Sequence, residues 1–279
     1  MSHGIKFLAS AFLLAVCLQA VAEDNGLYLH IDIRKTEFIP YEPIWVFTRL
    51  ENQGDRETKY TGSYISALRL FSDQQGRELA CRITEWNNAS RASLLPAQSS
   101  RVVAISLLSE CTDRQRGSLV LEPGCYQIRS RFFQSDVLEF EVRGPSGEEF
   151  AASEFFGIDW AIYHRRLTDQ AYNVFSEFVD RYPGSVLAPE ALRRLIFLCR
   201  ESSDFDPAIQ RDYLCRLLVD YPQSPYVNRS LSPSFEIDWC DESRMGGVMD
   251  ALDTVIATFA GTQIAERAQT LKDSLQTRE

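Results

Sequence analysis

Histidine is scarce in this chain, with three in 279 residues, and only His30 and His164 lie beyond the first two dozen positions. One falls in each half. No His-x-x-x-His pair and no His–Cys cluster can therefore form between sequence neighbours, which excludes the common zinc motifs. Cys-x-x-Cys is missing, and with it the thioredoxin-like redox site. There is no Gly-x-Ser-x-Gly elbow and no Gly-x-x-x-x-Gly-Lys phosphate loop. An excess of positive charge is lacking too, since 29 Lys and Arg stand against 39 Asp and Glu for a net charge of −10. With no basic stripe interleaved with aromatics, so acidic a chain is not expected to hold nucleic acid. Its charge reads as a solvated surface that keeps the protein soluble. The sequence thus offers no catalytic, cofactor-binding or metal-ligating set, although carboxylates brought together from distant segments would leave no mark in it.

Long apolar runs are also few, and none is long enough to span a bilayer. The one at residues 7–18 is about a dozen residues long. It follows Lys6 and is closed by Ala20-Val21-Ala22, the small-x-small pattern that signal peptidase accepts. Residues 1–22 are expected to be a signal peptide cleaved after Ala22, which makes the mature protein periplasmic or secreted. A competing reading takes Leu14-Ala15-Val16-Cys17 as a lipobox with Cys17 acylated as a membrane anchor. Val16 stands against it, because a small residue normally precedes the lipidated cysteine. Beyond the leader remain Cys81, Cys111, Cys125, Cys199, Cys215 and Cys240, an even count that suggests disulfides in an exported chain. Three fall in each half, and their pairing is left open.

Residues 23–143 read as all-β. Leu27, Leu29, Ile31 and Ile33 alternate with Tyr28, His30, Asp32 and Arg34, the period of a strand with one buried face. The alternation returns at Leu138, Phe140 and Val142. Further strand-like runs occupy residues 44–50, 65–71, 78–86, 101–108 and 126–133, separated by turn signals such as Pro40-Tyr41-Glu42-Pro43 and Asn52-Gln53-Gly54-Asp55. Seven short strands with such punctuation are expected to form a β-sandwich. Leu121-Glu122-Pro123-Gly124-Cys125-Tyr126 resembles the tyrosine corner of immunoglobulin-like sandwiches. Tyr41-Glu42-Pro43-Ile44, leading into a strand that ends at Asn52-Gln53-Gly54, is similar to secreted bacterial domains of that fold. His30 reads as a surface histidine beside Asp32.

After a stretch at 144–149 with linker composition, the period changes. Ala171, Val174, Phe175, Phe178, Val179 and Tyr182 follow helical spacing, and so do Ala188, Ala191, Leu192, Leu195, Ile196 and Cys199. Tyr182-Pro183-Gly184-Ser185 breaks the two helices apart, with Ser185 placed to cap the second. Asp206-Pro207 reads as the start of another helix. The punctuation returns at Tyr221-Pro222-Gln223-Ser224, 39 residues after Tyr182, and at Phe259-Ala260-Gly261-Thr262, a further 38 on. A period near 40 marks a helical repeat whose units bury their faces by stacking. Ser185, Ala188 and Ala191 are matched by Thr262, Ala265 and Ala268; the middle copy lacks these alanines, and either it is degenerate or its second helix is displaced by the loop up to Trp239. Phe156-Gly157-Ile158-Asp159-Trp160 is echoed by Phe235-Glu236-Ile237-Asp238-Trp239, with Trp160 and Trp239 read as core anchors.

Residues 150–279 resemble the tetratricopeptide-like repeats of outer-membrane assembly lipoproteins and of the TolA-binding periplasmic protein. The resemblance implies a non-catalytic envelope scaffold or adaptor that holds a protein or peptide partner against its helical hairpins. Two other roles stay open on the sequence. Loops of the sandwich such as residues 109–117 would serve a glycan-binding or protease-inhibiting module, and dispersed carboxylates an envelope hydrolase.

Overall fold

The computed structural model describes residues 26–61, 68–72, 77–78, 92–107, 112–113, 117–118, 121–130, 133–164, 168–201, 207–231, 240, 244 and 246–277. The expected leader, the lipobox cysteine Cys17, Trp239, Cys81 and Cys111 lie outside them. The chain divides into two compact units. The first, rich in strands, comprises Met1–Glu37, Ile44–Leu119 and Gly124–Val142; the second, helical, comprises Arg143–Glu279 together with Phe38–Pro43 and Val120–Pro123.

Thirteen strand segments occur among the described residues, where seven were expected: five are two-residue pairings that leave no periodic trace, and two of four residues, Thr58–Thr61 and Ala92–Leu95, fall outside every expected run. In chain order they are β1 Leu27–Ile33, β2 Glu37–Phe38, β3 Trp45–Asn52, β4 Thr58–Thr61, β5 Leu68–Ser72, β6 Arg77–Glu78 and β7 Ala92–Leu95. Then follow β8 Ser100–Ser106, β9 Thr112–Asp113, β10 Gly117–Ser118, β11 Gly124–Ser130, β12 Gln134–Ser135 and β13 Leu138–Val142. One sheet has the order β12-β1-β3-β8 and another β2-β13-β11-β5-β6, while β9 with β10 and β4 with β7 form separate pairs. Strand β1 runs antiparallel to β3 from Leu27↔Asn52 to Ile33↔Val46 and parallel to β12 at Tyr28↔Gln134 and Leu29↔Ser135. It also touches β11 and β13 of the second sheet. The alternation read from the sequence sets its faces: Leu27, Leu29, Ile31 and Ile33 are buried, and Asp32 is exposed. Of the expected run at 78–86, only Glu78 belongs to a described strand.

The turn after β3 is held by one side chain. Asn52 is fully buried. Its amide nitrogen donates to the carbonyls of Arg56 at 2.8 Å, Leu95 at 2.9 Å and Pro96 at 3.1 Å, and its carbonyl oxygen accepts from the Gly54 amide at 3.0 Å. Gly26, at φ +62, closes the same corner: a Cβ there would lie 3.0 Å from the Gly54 nitrogen. Asn52→Ala strands three carbonyls without their donor and is expected to cost about 2 kcal/mol, read by denaturant unfolding. An unchanged midpoint would show that water replaces the amide without loss.

The helical unit consists of α1 Glu148–His164, α2 Thr168–Arg181, α3 Ala188–Glu201, α4 Pro207–Asp220, a 3-10 helix at Pro225–Arg229, α5 Val248–Thr258 and α6 Gln263–Gln276. α1 begins inside the stretch read as a linker. Glu148 and Glu149 supply negative charge to its first turn, and Arg143 grips the Glu149 carboxylate with two bonds of 2.8 Å. Each helix packs on the next in sequence. Phe156 of α1 stands edge-on to Phe175 and Phe178 of α2, at centroid distances of 5.8 and 5.3 Å, and all three are fully buried. The Pro40-Tyr41-Glu42-Pro43 turn, part of this unit, holds Tyr41 at φ 68. Its ring lies 5.9 Å from Phe156, and a Cβ on Gly157 would come within 2.8 Å of its hydroxyl, so α1 needs glycine there for the close approach.

Candidate functional site

Three turns of one design punctuate the helical unit. After α2, Ser185 N donates to Tyr182 O at 3.0 Å; after α4, Ser224 N donates to Tyr221 O at 2.9 Å; after α5, Thr262 N donates to Phe259 O at 3.0 Å. The Ser185 hydroxyl, read from the sequence as a cap, accepts from Leu187 N at 3.2 Å, and the Ser224 hydroxyl accepts from Tyr226 N at 3.4 Å at the start of the 3-10 helix. Thr262 instead turns its hydroxyl back to Phe259 O at 2.7 Å. Gly261 has φ +78, which explains glycine in the third copy. The middle copy departs as expected, with a 3-10 helix in place of the α-helix. Its Val227 and Ser230 nevertheless fill the positions of Ala188 and Ala191, fully buried, and the Ser230 hydroxyl is satisfied by Leu214 O at 2.7 Å.

Polar contacts tie neighbouring elements of the helical unit together. The Tyr221 hydroxyl donates to Pro183 O at 2.5 Å, and burial, with Asp220 nearby, pushes its pKa up. Tyr172 of α2 and Tyr213 of α4 meet hydroxyl to hydroxyl at 3.0 Å; burial first, then that bond, raises the Tyr172 pKa well above its usual value. Arg216 reaches Asp180 at 3.2 Å, Arg244 reaches Asp212 at 3.1 Å, Arg267 reaches Asn228 at 2.9 Å, and Lys272 pairs with Asp253. One such link is buried. Glu190 of α3 receives Arg193 at 2.7 and 2.5 Å and Arg194 at 2.6 Å, and it is hydrogen-bonded to Tyr226 of the middle copy. Burial alone would push its carboxyl pKa up; the two guanidinium groups reverse this and hold it at about 2.

A second constellation lies on the outward side of the first sheet and has no sequence signature. His30 on β1 places Nε2 2.9 Å from Glu51 of β3 and Nδ1 3.3 Å from Asp136, just after β12. Tyr28 donates its hydroxyl to Asp136 at 2.8 Å, which raises its pKa, and its ring lies 4.6 Å from the imidazole. The hydrogen bond from His30, then that from Gln53 at 3.1 Å, lowers the Glu51 pKa. The histidine read as a plain surface residue is thus partnered at both ring nitrogens.

The other residues singled out in the sequence are placed as follows. Tyr126 is buried on β11 with its ring stacked on Phe140 at 5.4 Å. Trp160 lies in α1, its side chain outside the described residues. Tyr182, Pro183, Gly184, Tyr221, Pro222 and Phe259 occupy the three turns, and Phe259 is buried. Cys215 and Cys240 form a disulfide; Cys125 is exposed and Cys199 is buried. No metal-binding group of three or more His, Cys, Asp or Glu occurs among the described residues. No described helix is long and apolar enough to cross a membrane.

The chain matches no protein-family model and no curated protein. Among solved structures it is similar to β-glucosidase from Listeria innocua, at 19% identity over 42% of this chain and 16% of the enzyme, with a TM-score of 0.29. This chain thus spans about a sixth of that enzyme's length. It is also similar to the Pseudomonas fluorescens alkylpurine DNA glycosylase AlkC, at 13% identity over 47% of this chain and 36% of the other, with a TM-score of 0.26. A third likeness, to a PapD-like domain of human CEP192, has 19% identity over 41% of this chain and 82% of that domain, with a TM-score of 0.17. At these scores the likenesses assign neither fold nor activity.

Proposed function

We propose that this protein is an exported adaptor of the bacterial cell envelope, built from an immunoglobulin-like β-unit and tetratricopeptide-like helical hairpins, that holds a protein or peptide partner through the hairpins. The observation that carries this reading is the turn made three times with the same backbone bond, 38 and 39 residues apart. Arrays of that kind present extended side-chain surfaces that suit a chain-like ligand. The Cys215–Cys240 bond fits an oxidising compartment. β1, touching strands of a second sheet, supports the immunoglobulin-like reading of the first unit.

The test is capture by the tagged full chain in a bacterial envelope extract after mild crosslinking, with mass spectrometry of the crosslinked peptides. One or two proteins joined stoichiometrically at residues 168–277 are the expected result. Crosslinks confined to the β-unit, or retention of glycan alone, would replace the adaptor with a ligand-binding role for the strands.

A further inference from the structure

We propose that His30 is a pH-dependent clamp, which ties the edge strand β12 and Asp136 to the first sheet while its ring is protonated and releases them when it is not. Each ring nitrogen faces a carboxylate oxygen, Nε2 that of Glu51 and Nδ1 that of Asp136. Carboxylates only accept hydrogen bonds, whereas a neutral imidazole carries a single N–H. The neutral ring would therefore satisfy one carboxylate and turn a lone pair toward the other. The imidazolium ion donates to both, with charge assistance.

Among the described residues few other bonds hold this edge, and Phe133 N donates to the Ser130 hydroxyl at 3.0 Å just before it. β12 meets β1 at two ladder positions, Tyr28↔Gln134 and Leu29↔Ser135. The Ser135 hydroxyl accepts from Ser130 N at 3.0 Å, and Asp136 accepts from Tyr28. Val137, the next residue, is 55% exposed and adds no buried anchor. The charged groups that face the ring come from three strand regions. Asp32 lies on the same outward face of β1; Glu51 comes from β3 and Asp136 from the segment after β12; Arg49, directly opposite on β3, is the opposing cation, and β8 contributes the uncharged Val102 beside it. Tyr28 stays neutral through the range in which imidazoles titrate. This clamp does not depend on the adaptor reading.

Hydrogen–deuterium exchange of the full chain tests it, at about pH 5.5 and about pH 8.5, either side of the ordinary imidazole range and corrected for intrinsic exchange rates. Protection of the Gln134, Ser135 and Asp136 amides is expected to fall about threefold to tenfold at the higher pH, while the β1–β3 ladder is unchanged. His30→Gln should show the same protection at both values. Asp136→Asn, which leaves His30 in place, should abolish the response as well and serves if the first variant does not fold. Unchanged protection in the wild type, or the same fall persisting in either variant, overturns the clamp.

Discussion

Glu190→Ala is expected to remove about 3–5 kcal/mol of stability from the helical unit at neutral pH, because it deletes the buried carboxylate that both guanidinium groups bond. Arg194 is buried, and Arg193, lying over the Tyr226 ring at 5.2 Å, is largely so. A Tm lowered by roughly 10–20 °C follows. The same site gives acid sensitivity of definite sign. The folded carboxyl is held at about 2 against an ordinary 4.5, so its stabilisation is complete above the ordinary value and is lost as pH falls toward 2. Glu190→Gln should flatten that part of the pH–stability curve. The exposed pair Arg181–Glu177, 4.0 Å apart, makes the contrast: Arg181→Ala should change stability by less than about 0.5 kcal/mol. Equal effects at the two sites would mean that the buried network is open to water.

Breaking the Cys215–Cys240 bond is expected to cost about 3 kcal/mol, since it closes a loop across 25 positions and limits the unfolded chain. Cys215 is fully buried on α4, and the bond ties Cys240 to that helix. Thermal unfolding with and without reductant, and of a variant with both cysteines replaced by serine, measures it. The reduced protein and the variant should melt at the same lower temperature. A reductant effect that survives in the variant would assign the loss to other cysteines.

What could be read from the sequence was what depends on near neighbours. β1 and β13 announced themselves because alternation fixes which face is buried, and the aromatic-Pro-Gly-Ser turns because proline, glycine and a capping hydroxyl act within four residues. The middle copy was harder. Ser230 looked like a departure from alanine, yet it keeps the buried position by giving its hydroxyl to Leu214, a partner set by packing rather than by spacing. Glu190 with Arg193 and Arg194 has helical i, i+3 and i+4 spacing, but a surface pair has the same spacing, and only the approach of Tyr226 makes it a core network. His30, Glu51 and Asp136 come from three strand regions whose register no local pattern encodes.

The central claim, that the helical unit holds the partner, is tested most directly by measuring that partner's affinity for full chains altered at exposed charges. One variant reverses Glu154, Asp169 and Glu266 of the helical unit; the other reverses Glu139 and Glu141 of β13. The account predicts binding weakened at least about tenfold by the first variant, a change of about 1.4 kcal/mol, and unaltered by the second. Loss of binding with the β13 variant alone would contradict it and place the partner on the strands.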